Sequence, residues 1–225
     1  MRGTIRDMHR LLRDASGAAM TEFVLAMPLL MTAGLFGTEL ANFALVQMKV
    51  HETAIHLADN ASRVGDTSNL QNRKIYEADI NDLFLGSSIQ ASASLNFYEH
   101  GRAIVSSLET RPANPSQQYI HWQRCKGKKT WASTYGNEGT DVSGMGPTGE
   151  QVIAQSGEAV IFVEVVYDYQ PLISSRFIGS TTIKSIASFT VRDKRDLSQI
   201  YQRNPSSPDA ISACNVYSGF TTVTV

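Results

Sequence analysis

The chain has 225 residues and a formal net charge of −1 at pH 7. This length fits one domain of ordinary size plus one further segment, and the near-neutral charge provides no global field that would attract nucleic acid or an acidic polymer. The part of the chain after about Asp66 is long enough to bury a hydrophobic core of its own.

Residues 1–17 form a basic leader in front of a long apolar stretch. The leader carries four arginines and two aspartates, which are Arg2, Arg6, Arg10, Arg13, Asp7 and Asp14. The other flank of the apolar stretch begins with Lys49, and Glu52 follows soon after. Because positive charge is retained on the cytoplasmic side, we expect a cytoplasmic N-terminus and an exported C-terminal domain.

The apolar stretch itself has no charged residue between Phe23 and Thr38, and on to Met48 its only charge is Glu39. About 20 apolar residues in a helix cross a hydrocarbon core of about 30 Å. Residues 18–50 are therefore predicted to form a membrane-spanning helix. A cleaved secretory signal is the competing interpretation, but its apolar core would be only about 7–15 residues.

The helical pattern continues beyond the membrane face, over residues 51–65. From Val50 onward, apolar residues recur at helical spacing: Val50, Ala54, Leu57, Ala58, Ala61 and Val64. The sequence thus predicts one helix over residues 18–64, about 70 Å long, with a stop at Gly65–Asp66. Pro28 is expected to kink it, because proline lacks a backbone N–H donor.

Small residues are spaced four apart at Ala33, Gly37 and Ala41, and such stripes let membrane helices approach closely. Glu39 lies in the same region, where an unpaired carboxylate in lipid is costly. Two explanations remain open from the sequence. Glu39 is buried in a helix–helix contact, or its side chain reaches the outer membrane interface.

Glu22 is a second carboxylate, at the start of the apolar stretch. If the chain is cut after Gly17, Ala18 carries a new α-amino group one helical turn from Glu22, and the two charges neutralise each other within or between subunits. The alternative is an uncleaved signal anchor in which Gly17 has this position by chance.

The exported part, residues 66–225, is predicted to be an α+β domain with an antiparallel sheet. A short helix starts at Ser68 or Asn69 and ends at Gly86. Period-two alternation then predicts strands over residues 89–97 and 103–108, joined by a turn at 99–101, and a strand over 119–125. Residues 137–150 are rich in glycine and predict an irregular loop. Two partner strands follow at about 160–169 and 181–192, and the tail from Asp193 is predicted to lie on the surface.

Cys125 and Cys214 are expected to form a disulfide in an exported domain, holding the tail against the sheet. Neither cysteine belongs to a short CxxC motif, and the chain lacks HExxH, GxSxG and phosphate-loop motifs. We therefore expect no metal, no cofactor and no enzymatic activity. A membrane-tethered enzyme of unknown class would need a polar cluster that the sequence does not reveal.

The leader, Gly17, Glu22 and the apolar helix together resemble the processing site of type IV prepilins and pseudopilins. Pro28 and the pair Glu39–Leu40 are more similar to the TadE-like pseudopilins of the tight adherence (Tad/Flp) pilus system. Residues 160–192 add an alternating strand, a Pro-Leu loop and a final strand ending in arginine, which that branch shares. TadF-like proteins have a similar layout, and residues 119–150 are not determined by the family pattern.

This resemblance implies a pilin-like fold, removal of residues 1–17 by a prepilin peptidase, and a single-pass protein of the bacterial inner membrane with a periplasmic domain. It also implies a non-catalytic role in pilus assembly, with other Tad pilins and the Tad secretion platform as partners and inner-membrane lipid around the helix. The alternative is a single-pass envelope-anchored binding module that is neither processed nor assembled.

Overall fold

The computed structural model describes residues 16–65, 72–91, 95–192 and 194–220. Within them, a long apolar helix precedes a five-stranded antiparallel sheet, which confirms the predicted α+β class. In chain order the elements are α1 (Ser16–Arg63), α2 (Glu77–Gln90), α3 (Phe97–His100), β1 (Gly101–Arg111), β2 (Asn114–Lys126), β3 (Asp141–Val142), β4 (Ala159–Asp168), α4 (Ser175–Ile178) and β5 (Thr182–Thr190).

The chain divides into two compact units. The first consists of the chain up to Ala44 together with Gln170–Gly179, and the second of Leu45–Tyr169 and Ser180–Val225. The helix α1 contributes its N-terminal part to the first unit and its C-terminal part to the second.

Helix α1 confirms the long helix predicted over residues 18–64. In its C-terminal part, Val50, Ala54, Leu57 and Ala58 are fully buried, because their spacing places them on one face of the helix. The helix ends where Arg195 donates hydrogen bonds from Nη2 to the carbonyl oxygens of Ala61 (3.0 Å) and Val64 (2.5 Å). A cation that binds the last carbonyls satisfies acceptors that the helix itself leaves unpaired.

The strand order is β3-β2-β1-β4-β5, and every pairing is antiparallel. β1 lies at the centre, where Val105 is opposite Arg124 of β2 and Val163 of β4. The predicted strands at 103–108, 119–125, 160–169 and 181–192 correspond to β1, β2, β4 and β5. On one face, a buried apolar cluster is formed by Leu108, Ile120, Met145, Ala154, Val160 and Phe162.

The predicted strand over residues 89–97 was wrong, and so was the hairpin based on it. α2 continues to Gln90 through Gly86, Phe97–His100 is helical, and the hairpin partner of β1 is β2. Ser68 and Asn69, expected to start the second helix, lie outside the described residues, and the N-cap of α2 is Tyr76.

Packing of aromatic rings explains this error. Phe97 and Tyr98 lie edge-to-face with ring centroids 4.8 Å apart, and Phe97 also stacks on Tyr167 of β4 at 6.0 Å. Both side chains are buried, and these ring contacts hold them in the short helix α3. Apolar residues in a run this short fit a helix or a strand equally well.

Cys125 and Cys214 form the disulfide that was expected, joining β2 to the C-terminal tail. The tail also bonds the outer edge of β2. The N–H of Cys125 donates to the carbonyl oxygen of Ser212 (2.8 Å), and the N–H of Gly127 donates to the carbonyl oxygen of Ser218 (2.9 Å). An uncovered edge offers unpaired backbone groups to other chains, so the tail protects this end of β2.

Arg102 of β1 holds the same tail from beneath. Its guanidinium is fully buried and donates to the carbonyl oxygens of Gly127 (2.9 Å), Val216 (3.2 Å) and Cys214 (2.6 Å). The ring of Tyr217 covers the guanidinium, 4.2 Å from the ring centroid. Burial lowers the pKa of this arginine. Hydrogen bonds to three carbonyls and a π face compensate a charge that would otherwise be costly to bury.

Candidate functional site

The most unusual surface of the described chain is the N-terminal part of α1, whose large apolar side chains face outward. Leu25 is 78% exposed and Leu29 is 70% exposed. The other large exposed apolar residues of this part are Met20, Phe23, Val24, Met27, Leu30, Met31, Leu35, Phe36 and Leu40. The helix is long and apolar enough to cross a membrane. In a bilayer, the acyl chains of lipids would surround these apolar side chains, which would otherwise be exposed to water.

At the N-terminal end of this surface, Gly17, Ala18 and Glu22 all lie in α1 and are exposed. Ala18 and Glu22 are four residues apart and therefore neighbours on one helix face. A cut after Gly17 would leave the new α-amino group on the first residue of a formed helix, next to the Glu22 carboxylate. Residues 1–15 of the basic leader lie outside the described residues.

The predicted small-residue stripe is exposed as well. Ala33, Gly37 and Ala41 are each solvent-facing, and a Cβ added at Gly37 would meet no atom within 4 Å. Pro28 lies inside the helix, where Pro28, Leu29, Thr32, Ala33 and Phe36 line a shallow apolar depression. The kink expected at Pro28 stays a prediction.

Glu39 differs from the other residues of this segment because it is fully buried. Its Oε1 accepts the backbone N–H of Leu172 (3.1 Å), and its Oε2 accepts the backbone N–H of Ile173 (2.7 Å). Neither of the two explanations drawn from the sequence describes this arrangement. The carboxylate binds a loop of its own chain, which follows the strand β4.

The loop Gln170–Gly179, here called the Glu39 loop, makes a second contact with the helix. The rings of Phe36 and Phe177 pack edge-to-face with centroids 5.9 Å apart. Within the loop, Ser174 caps the short helix α4 by accepting the backbone N–H of Arg176 on its hydroxyl (3.2 Å). The sequence reasoning did not connect this loop with Glu39, and the Pro171–Leu172 pair was the available signal.

Glu39 and the small-residue stripe lie on opposite sides of α1. Glu39 is two residues from both Gly37 and Ala41, and two residues rotate the side-chain direction by about 200°. The Glu39 loop therefore binds one side of the helix and leaves the side of the stripe uncovered. Glu39, which was expected to contribute to helix packing together with Pro28, Ala33, Gly37 and Ala41, thus lies on a different side of the helix from the small-residue stripe.

The described residues include no group of three or more His, Cys, Asp or Glu side chains that could hold a metal ion. A smaller polar network lies at the sheet, where Glu109 is buried. The Glu109 carboxylate accepts a hydrogen bond from the Ser107 hydroxyl (2.7 Å) and pairs with Nδ1 of His121 (2.9 Å). The hydrogen bond to Glu109 is the main cause that raises the pKa of His121. This network links β1 to β2 and is a titratable connection within the domain.

Comparisons with protein-family models, with curated proteins and with solved structures found no match. A functional assignment therefore depends on the sequence motifs and on the geometry of α1. The TadE-like resemblance stays a prediction based on those motifs.

Proposed function

We propose that this protein is a TadE-like pseudopilin that takes part in assembling a Tad/Flp-type pilus, with a structural rather than catalytic role. The observation that carries the proposal is the N-terminal part of α1, which is apolar, exposed and bears Glu22 at its start. Its small-residue stripe is not covered by the Glu39 loop. A helix with this surface has a membrane or other helices as its natural neighbours.

In this proposal the protein is inserted in the bacterial inner membrane with its leader in the cytoplasm and its sheet domain in the periplasm. A prepilin peptidase cuts between Gly17 and Ala18. The mature helix then packs along the Ala33, Gly37 and Ala41 side against other Tad pilins delivered by the Tad secretion platform. Glu22 neutralises an α-amino charge as the helices come together, which removes the cost of a lone carboxylate in lipid.

Removal of the leader is tested by mass spectrometry of the intact protein, purified from membranes of cells that contain an active prepilin peptidase. We expect a mature protein that begins at Ala18. Gly17→Val should retain the leader, whereas the matched leader variant Gly3→Val should still be cut. An intact Met1 in the wild-type protein would contradict processing and would favour an envelope-anchored binding module that is not assembled.

The helix contact is tested by crosslinking between copies, and to other Tad pilins, in the same membranes. Gly37→Leu adds bulk to the stripe and should reduce crosslinking. Thr32→Leu adds bulk about 140° away around the helix and should not. Glu22→Ala should impair assembly, with the exposed Glu52→Ala as its charge-matched control. Normal assembly of both Gly37→Leu and Glu22→Ala would contradict the proposed packing.

A further inference from the structure

The Glu39 loop belongs physically with the apolar part of α1. Gln170–Gly179 forms one compact unit with the chain up to Ala44, separate from the rest of the sheet domain. Two hydrogen bonds to the Glu39 carboxylate and the Phe36–Phe177 ring contact attach it there. Wherever α1 lies in a membrane, this loop lies at the depth of Glu39.

The charges of α1 set that depth. From Glu22 to Lys49 the helix extends about 40 Å, close to the thickness of a bilayer including its headgroup regions, which is about 40–45 Å. Glu39 is the only charge in between and lies about 25 Å from Glu22 along the helix axis. With Glu22 and Lys49 in the two headgroup regions, Glu39 lies within the hydrocarbon of the exported leaflet, roughly 10 Å below its surface.

A carboxylate and two backbone N–H groups at that depth have no water to bind, so each must be satisfied by protein. Glu39, Leu172 and Ile173 satisfy one another. Non-helical backbone is tolerated at membrane depth only where it is buried against protein, and the hydrogen bonds to Glu39 place the N–H groups of Leu172 and Ile173 against α1 in this way. The polar groups of the loop tip are thus turned toward α1.

The side chains of the loop tip point the other way. Leu172 is 66% exposed and Ile173 is 38% exposed, although both are strongly apolar. Arg176 is the charged side chain of the loop and is also exposed. A long arginine side chain reaches the headgroups from a position below them.

We propose that the Glu39 loop is a second membrane contact of this protein, with Leu172 and Ile173 inserted among the acyl chains of the exported leaflet. This proposal rests on a membrane-spanning α1, and it does not depend on processing or pilus assembly. It assigns Glu39 the role of holding the loop at that depth.

The test uses a fluorescent label in the unassembled full chain, reconstituted into phosphatidylcholine vesicles. Both native cysteines are joined in a disulfide, so a single introduced cysteine can be labelled selectively. Leu172→Cys is compared with Leu35→Cys in the apolar helix and with Ile153→Cys, an exposed position of the sheet-containing unit. Each is labelled with the environment-sensitive NBD group, and quenching by phosphatidylcholine with a doxyl group on carbon 12, deep in the acyl chain, is measured.

We expect a blue-shifted emission and a strong loss of fluorescence at positions 172 and 35, and neither at position 153. Adding Glu39→Ala to Leu172→Cys should return the label to the behaviour seen at position 153. If the label at 172 behaves like that at 153 while the label at 35 is quenched, the proposal is wrong. A label at 35 that is not quenched would overturn it too, by removing α1 from the membrane. The vesicles contain no pilus machinery, so failed processing or assembly would leave these results unchanged.

Discussion

The Glu39 carboxylate and the backbone N–H of Ile173 are 2.7 Å apart, although 134 positions separate them in the sequence. A negative charge in an apolar helix is thereby bound by the loop that follows β4 in the chain. The result is a carboxylate that is fully buried in its own chain and is not available to a neighbouring helix. Assembly contacts of α1 are therefore expected on the other side of the helix.

Replacing Glu39 by glutamine should loosen the Glu39 loop. A carboxylate accepts hydrogen bonds from both N–H groups. The amide of glutamine has one oxygen and one NH₂, so one of the two backbone N–H groups would face the NH₂ and be left unpaired, at a cost of roughly 1–3 kcal/mol. We expect faster hydrogen exchange at Leu172 and Ile173, measured by mass spectrometry of the full chain in detergent. The exposed Glu52→Gln is the matched control and should leave exchange at both amides unchanged. Wild-type exchange in Glu39→Gln would contradict a holding role for the carboxylate.

Removing the disulfide should destabilise the exported domain substantially. Cys125 and Cys214 enclose a segment with a sequence separation of 89, for which loop entropy predicts about 4–5 kcal/mol. The double variant Cys125→Ser with Cys214→Ser should lower the midpoint of chemical denaturation in detergent and make the tail sensitive to protease. Reduction of the wild-type protein should reproduce both changes. A denaturation midpoint equal to the oxidised wild type would show that other contacts are sufficient to hold the tail.

Arg102→Met should release the tail while the disulfide remains. The variant leaves three carbonyl oxygens without their charged donor, which destabilises the fold. It also no longer has to bury a guanidinium, which offsets part of this destabilisation. We expect a net loss of about 1–3 kcal/mol in the free energy of unfolding. Arg63→Met removes an exposed pair with Asp59 on α1 and should change stability very little. Equal stabilities of the two variants would mean that Arg102 does not hold the tail.

His121 should give the domain a pH-dependent stability. Its pKa is raised in the folded chain, mainly by the hydrogen bond to Glu109, with Glu138 and Arg111 also acting on it. The charged pair therefore stabilises the fold fully below the unfolded pKa of about 6.5, and this contribution is lost as pH rises through the folded value.

His121→Gln tests this linkage because the amide is a neutral donor at every pH. The melting temperature of the wild type should exceed that of the variant at pH 5.5, and the difference should shrink at pH 9. The exposed His56→Gln should show no such change. A difference that grows with pH would have the opposite sign and would refute the linkage.

Patterns of local periodicity were sufficient for the longest elements. The uncharged run from Phe23 to Thr38 predicted the N-terminal part of α1, because an apolar run of this length favours a membrane-spanning helix. The spacing of Val50, Ala54 and Leu57 predicted its continuation, because a helical period places these residues on one face. Strong alternation likewise predicted β4 and its partner β5. Periodicity gave the wrong element for residues 89–97, because a short apolar run has too few residues to distinguish a helix from a strand.

The candidate site shows the same division. The apolar helix, the Gly17–Glu22 spacing, the small-residue stripe and the pairing of two cysteines were readable from the sequence, because each depends on neighbours along the chain or on having one possible partner. The partner of Glu39, the burial of Arg102 and the Glu109–His121 pair were decided by the tertiary structure alone. A buried charge is satisfied by whichever donors the fold brings within about 3 Å, and these come from distant positions that no local pattern marks.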